Sequence, residues 1–399
     1  MRNVAAALIG LAAAILAACS TGTSSPPPTG GISVEPRDSS VLISWTPEAD
    51  VDYWLIYAPG QAVSSQTVTT LPGGRLIPHV GPPLHVSNLV NGTTYSFTVN
   101  GRKSGGPGGT DAPVVSATPR LAGSVWTPGV LAGGTDLAGV GHGQSFVAVG
   151  AGGATFYSSD ATSWTAVPFV VSTNLNAVTH NATPSIYVAV GDIGTIIASN
   201  DAQTWQVQVS GVTARLAGIA SSSGNFFVAV GASGTLLTSV GATTWKAVPL
   251  ATAQNLNGAA YGNGMFVVVG ANGLIMTSTD GVNWPATPSG TSQNLNAVAY
   301  GVTTSGIGEF VAVGAAGTVL TSLNGINWTL QSATLNDLTG ISYGTQFVAV
   351  GKGGTIITSP DGLSWGPSAS GTSNTLAGIV AGNLGYAAVG TSGTNLSSY

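Results

Sequence analysis

The sequence predicts an all-β chain: a seven-bladed β-propeller closed by an N-terminal strand, preceded by a small β-sandwich. Three observations carry this. The run Phe-Val-Ala-Val-Gly, or a close variant, ends at Gly150, Gly191, Gly231, Gly270, Gly314, Gly351 and Gly390, with successive spacings of 41, 40, 39, 44, 37 and 39 residues. A period near 40 marks an array of like supersecondary units. Each unit consists of short runs rich in Val, Ile, Phe and Thr between Gly, Asn and Ser, which read as strands with turns. No segment holds a 3.6-residue period for ten residues. The third observation is that the strand count closes a ring.

Every unit supplies four strands. The first is exemplified by Leu295–Val298 and Leu376–Ile379, the second is the Phe-Val-Ala-Val-Gly run, and the third is exemplified by Gly354–Ser359. The fourth begins at Trp164, Trp205, Trp245, Trp284, Trp328 or Trp365. First to third strands occur seven times, but only six tryptophan strands follow them. The missing one stands in front, at Ser124–Gly129 around Trp126, and is expected to complete the last blade beside residues 393–398. Such a latch joins the ends of a ring. An open superhelical array would leave the complementary missing strand unexplained.

Residues 1–19 carry Arg2, an apolar run from Val4 to Leu16, and the ending Leu-Ala-Ala-Cys19. A positive start, a short apolar core and small residues before a cut describe a secretory signal rather than a spanning helix. The ending resembles the bacterial lipobox, in which the cysteine becomes the lipidated first residue. Cys19 is the only cysteine, so no disulfide competes for it. The resemblance implies lipidation at Cys19 and a bacterial cell-envelope location. Ser20 in place of Asp favours the outer membrane. Residues 20–30, rich in Ser, Thr, Gly and Pro, read as a tether.

Residues 31–120 lack the 40-residue period. Strand-like pieces are Ile32–Glu35, Val41–Trp45, Tyr53–Tyr57, Gln66–Thr70, His85–Leu89, Thr94–Asn100 and Val114–Ala117. Strands at this spacing suit a sandwich. Trp45, the run Leu89-Val-Asn-Gly-Thr-Thr-Tyr95 and the closing Ser116-Ala-Thr-Pro119 resemble fibronectin type III domains. That resemblance implies an immunoglobulin-like sandwich with a tyrosine corner at Tyr95, acting as a spacer or adhesion module. Residues 71–85 depart from the pattern as an extra Gly/Pro-rich loop.

The propeller spans 121–399. Four residues before each tryptophan stand Asp160, Asp201, Gly241, Asp280, Asn324 and Asp361. Asp-Gly and Asn-Gly pairs suggest two-residue primed turns. These runs resemble the Asp-box (bacterial neuraminidase repeat) of sialidase-like propellers, one residue shorter between Asp and Trp. The whole repeat looks like the propellers of photosystem II assembly and stability factors. Both resemblances are specific for fold and not for chemistry.

Composition narrows the function classes. Charged residues are 6% of the chain, and the propeller has three basic residues, Arg215, Lys246 and Lys352, against eight acidic ones. Without a basic stripe, nucleic-acid binding is not expected. There is no phosphate loop or Cys/His cluster, so no cofactor is expected. The resembled sialidases use three arginines and a Tyr nucleophile assisted by Glu, whereas this propeller has one arginine and one glutamate, Glu309. No paired carboxyls are apparent, and no catalytic residue is assigned.

Binding remains. On one face, the residues leading into the innermost strands are Asp136, Asn174, Arg215, Asn255, Asn294, Asp337 and Thr375, joined by Asp192, Asn272 and Lys352 from the second-to-third turns. This polar mouth is the candidate ligand site, with Arg215 the residue that turn chemistry does not explain. At the opposite mouth stand His142, His180, Ser221, Tyr261, Tyr300, Tyr343 and Ala381. The two histidines have no evident third ligand, so no metal is expected. The chain reads as a monomeric, non-catalytic interaction or assembly module with a protein partner, touching the membrane through its lipid alone. The alternative is a sialidase-like lipoprotein that binds or degrades a surface glycan.

Overall fold

The computed structural model describes residues 25–399 apart from 61, 130, 132, 333 and 384. The expected signal segment 1–19 and Cys19 lie outside the described residues. Two compact units divide at Leu121 and Ala122.

The first unit is a sandwich of two antiparallel sheets. Strands β1 (Ser33–Arg37), β2 (Ser40–Ser44) and β5 (Leu84–Ser87) form one sheet in the order β1-β2-β5. The other runs β4-β3-β6-β7, with β3 Val51–Pro59, β4 Arg75–Val80, β6 Tyr95–Lys103 and β7 Val115–Ala117. Their inner faces bury Val41, Ile43, Leu55, Phe97 and Val99, and Trp45 meets Tyr53 edge-on at 5.5 Å. The Tyr95 hydroxyl accepts the Val90 amide at 3.2 Å, which makes the expected corner.

Two expectations for this unit need correction. Gln66–Thr70 is not a strand. The Ser64 and Thr67 carbonyls accept amides three and four residues on, at 2.9–3.2 Å, so the segment coils into a turn that seats Val63 and Val68 on Ile56. The strand comes later, as β4, inside the stretch expected to be a loop. The proposed tether also ends too late, because Ser25 and Pro28 are buried and Gly31 N–H bonds Pro28 O at 3.0 Å. Residues 25–30 therefore pack with the sandwich.

The second unit is the propeller: seven four-stranded antiparallel sheets whose innermost strands neighbour one another in a closed cycle. Inner strands are Leu137–His142, Leu175–Ala182, Leu216–Ser221, Leu256–Gly262, Leu295–Val302, Leu338–Tyr343 and Leu376–Gly382, in blades one to seven. Second strands are almost wholly buried, because sheets cover them on both sides. The last sheet is completed by β8 (Thr127–Pro128), pairing Leu396 with Pro128 and Ser397 with Thr127. Trp126 is buried with Val348, Ile356, Leu376 and Tyr386, and its indole donates to Gly123 O at 3.0 Å.

Outer strands are shorter than expected. They generally start just after the tryptophan, as at Gln206–Gln208 and Thr329–Ser332. The tryptophan is instead an anchor, in every blade but the fourth with its indole N–H bonded to the carbonyl three residues earlier, as in Trp205 to Ala202 O at 3.0 Å. The preceding turns are not two-residue primed hairpins either. Asp280 has ordinary φ and only Gly281 is positive, at +74°. The carboxylate shapes the loop, accepting the amides of Val282 and Asn283 at 2.8 Å and the Ser278 hydroxyl at 3.0 Å. With the side chain holding the turn, alanine suffices at positions 161 and 202 in the other blades.

Candidate functional site

Each second strand ends in a Gly-x-x-Gly turn of three residues. Its middle residue takes positive φ, from +51° at Ala316 to +63° at Gly353, so its N–H points out of the turn. The closing glycine is required by space as well as by φ: a Cβ at Gly273 would lie 2.0 Å from Thr291 O. These turns and the residues leading into the inner strands line one mouth of the ring.

The leading residues do not bond their own local backbone, as the sequence suggested. They reach across to the preceding blade and cap the outward N–H of its turn. Asn174 accepts Gly152 N at 2.9 Å, Asn255 accepts Ser233 N at 3.0 Å, and Asn294 accepts Asn272 N at 3.0 Å. Asp337 accepts Ala316 N at 2.8 Å, and Asp136 accepts Ser392 N at 2.7 Å, tying blade one to blade seven. Five of the seven positions are thus clamps between blades.

A second set of ties was missed from sequence. After its leading Leu, every inner strand carries a bulge, as between Leu295 and Ala297. The bulge turns the intervening side chain toward the next blade. Asn176, Asn257 and Asn296 donate their amides to Leu216 O, Leu295 O and Leu338 O at 2.7–2.9 Å. The recurring Leu-Asn pair was the available signal.

Arg215 breaks the clamp pattern. A guanidinium has no acceptor, so it cannot cap Ile193 N as its counterparts cap theirs. Its Nε lies 3.2 Å from Asp192 Oδ1 and its Nη2 donates to Asn176 Oδ1 at 3.2 Å, while the side chain stays 55% exposed. Asp192 is also held by the amides of Asn174 and Asn176, each at 3.0 Å, so the arginine is not its sole donor. The ion pair and the bond to Asn176 engage at most two of the five guanidinium N–H groups. Lys352 pairs instead with Asp337 Oδ2 at 2.6 Å. That lysine, together with the Ala316 amide, holds the Asp337 carboxyl below the usual range. The mouth residues therefore sort into Asn174, Asn176, Asp192 and Arg215 at the junction of blades two and three, the pair Asp337 and Lys352, and the clamps.

The opposite mouth is packing. His142 lies on Phe146 and His180 on Tyr187, each with centroids 4.4 Å apart, in the way Tyr261, Tyr300 and Tyr343 lie on their neighbouring rings. Burial lowers the pKa of both histidines. Among the described residues no group of three His, Cys, Asp or Glu is placed to hold a metal ion.

Comparison with known proteins agrees with this architecture. Residues 25–117 match the fibronectin type III domain family. No curated protein matches the chain. A solved structure of YCF48 bound to D1 peptide is similar over 68% of this chain and 94% of its own, with a TM-score of 0.55 and 15% identity. At that identity the likeness concerns the fold: this chain is a sandwich of fibronectin type III type followed by a seven-bladed propeller.

Proposed function

We propose that the chain is a non-catalytic interaction or assembly module of the bacterial cell envelope, anchored through a lipid on Cys19, whose propeller grips a protein partner at the Arg215 mouth. One observation carries the reading. At a position where five blades use Asp or Asn to clamp their neighbour, blade three gives up the clamp for a guanidinium with at least three unused donors. A planar fork of this kind suits a carboxylate or backbone carbonyls of a polypeptide, through charge-assisted and bidentate bonds. The similar propeller noted above was solved with a peptide bound, which favours a polypeptide as the ligand class. The mouth holds both signs of charge, so recognition is local and not a matter of long-range steering.

The test is partner capture by the tagged mature protein, with Arg215→Ala and Lys352→Ala variants. Asp136 and Asp337 are unsuitable probes, because each also clamps two blades together. Losing one or more charge-assisted bonds, each worth about 1.5–3 kcal/mol, should weaken capture by Arg215→Ala about tenfold or more. Its melting temperature should stay within about 2 °C of the parent, as for an exposed ion pair. Unchanged capture by Arg215→Ala, or saturable glycan-array binding without protein capture, would refute the reading.

A further inference from the structure

A second departure from the repeat lies on the other face, away from the mouth. The residue just before the aromatic of each second strand is Ile186, Phe226 or Met265 in blades two to four. It packs beneath the turn of the following blade, so a Cβ on Gly281 would meet Phe226 at 2.5 Å and one on Gly325 would meet Met265 at 2.7 Å. In blade five the same position is Glu309, with Oε2 lying 2.7 Å from where a Gly362 Cβ would stand. It is the propeller's only glutamate and is 5% exposed. Blades one, six and seven have Ser145, Gln346 and Gly385 at this position, so Glu309 is the one charged residue among the seven.

Glu309 lines a crevice of about 540 Å³ between blades five and six. One wall is the blade-five insertion, held rigid by Thr303 N–H to Ile307 O and Gly306 N–H to Thr303 O, both 2.8 Å. Asp361 lies on the other side. Its Oδ1 takes the Leu363 and Ser364 amides at 3.0 Å and the Ser359 hydroxyl at 3.1 Å. Around the opening stand Ile307, Leu323 and Leu363, 50%, 61% and 53% exposed. The crevice holds no basic residue, and no ion pair among the described residues involves Glu309. The corresponding crevice beside blade three has the same volume but carries Phe226 at this position and Lys246 in its wall. The space is therefore common to the fold, and the paired carboxylates belong to blades five and six.

We infer that this crevice is a binding site for an organic cation on an apolar stem, an alkylammonium group of the kind a lysine side chain presents. The ammonium would meet Glu309 and Asp361, and the stem would lie against Ile307, Leu323 and Leu363. Structure alone does not call for a charge, since the other six blades fill this position with uncharged residues, from Gly385 and Ser145 to Gln346, Ile186, Met265 and Phe226. Burial and the neighbouring Asp361 push the Glu309 carboxyl upward, against an opposing hydrogen bond from Thr321, and a cation in the crevice would favour its ionised form. The site does not depend on the Arg215 mouth, and either can fail without the other.

Titration calorimetry with the full mature protein tests it, using n-butylammonium, Nα-acetyl-lysine methylamide and the Nε-acetylated form of the latter. The first two should bind in the millimolar range or tighter, and the neutral form should not bind. Glu309→Gln, which keeps size and polarity, should weaken amine binding about tenfold or more. Ile307→Ser, an exposed change that spares the carboxylate, should weaken it several-fold. Binding of butylammonium alone would assign the site to free amines, and binding of the lysine derivative as well would extend it to polypeptides. Equal affinity in the parent and Glu309→Gln, equal binding of the acetylated form, or no amine binding by the parent would each overturn the inference.

Discussion

Replacing Arg215 by Asn should make the propeller slightly more stable and its mouth less competent. In Asn174, Asn255 and Asn294 the same side chain caps a neighbouring turn at 2.9–3.0 Å. Asn at 215 should therefore reach the Ile193 amide, the blade-two equivalent of Gly152, Ser233 and Asn272. A hydrogen bond of this kind contributes about 0.5–1.5 kcal/mol. Against it stands the loss of an exposed ion pair with Asp192, worth about 0–1 kcal/mol. Asp192 keeps two amide donors, so no buried charge is stranded. The net is a gain of about 0.5 kcal/mol, or a rise of about 1–2 °C in melting temperature for a domain of this size. Differential scanning calorimetry reads the stability, and titration with the captured partner reads the function. A fall of more than about 2 °C would show that Arg215 is structural after all, and would remove the argument for a site there.

The closure should be measurable. A chain starting at residue 121 should fold, while one starting at 131 leaves an open sheet edge and should melt lower or aggregate. Trp126→Ala alone should cost about 3–5 kcal/mol, a drop of about 6–20 °C, and equal melting curves would rule out the latch. Acid should destabilise the ring: backbone amides hold Asp201 at about 2 against its ordinary 3.8. The unfolded chain thus takes up the proton first as pH falls, so stability present above about pH 4 is lost between pH 4 and 2. A melting temperature that is flat from pH 5 to 2, or an Asp201→Asn variant with unchanged slope there, would contradict this. Cys19→Ser should move the protein from the detergent-extracted membrane fraction to the soluble one, and retention in the membrane would remove the lipid anchor.

The ring was legible because its information is written seven times. Gly150 to Gly390 set the period, and the displaced Trp126 set the closure, since one missing outer strand at one end matched one extra at the other. The sandwich was less legible. Gln66–Thr70 has strand composition, but Ser64 and Thr67 offered the backbone a local alternative that won. Arg75–Val80 carries Pro78 and looked like a loop, yet at the sheet edge proline forfeits little. In the site, the mouth residues were found, but their partners were not. A side chain that bonds the blade before it leaves no local trace, and a bulge that redirects Asn176 is invisible without the register.

Repetition also separates scaffold from function. Each position in a blade has six internal controls, which show what the fold alone requires there. Asp136, Asn174, Asn255, Asn294 and Asp337 follow the rule and serve the scaffold. Arg215 and Glu309 do not: the first gives up an inter-blade cap for an exposed cation, and the second buries a carboxyl at a position the other six blades fill with uncharged residues. Neither improves stability by its own contacts, since an exposed pair contributes little and a buried carboxyl without a cationic partner costs. They lie on opposite faces and carry opposite charge, so one ligand group cannot satisfy both. An anionic or carbonyl-bearing group fits the Arg215 mouth, and a cationic one fits the crevice beside Glu309. If a single polypeptide occupies both, it must run from the mouth over the rim of the ring. A partner whose binding is weakened by Arg215→Ala and Glu309→Gln to additive degrees would have that extended path. A partner sensitive to only one of them is confined to that face.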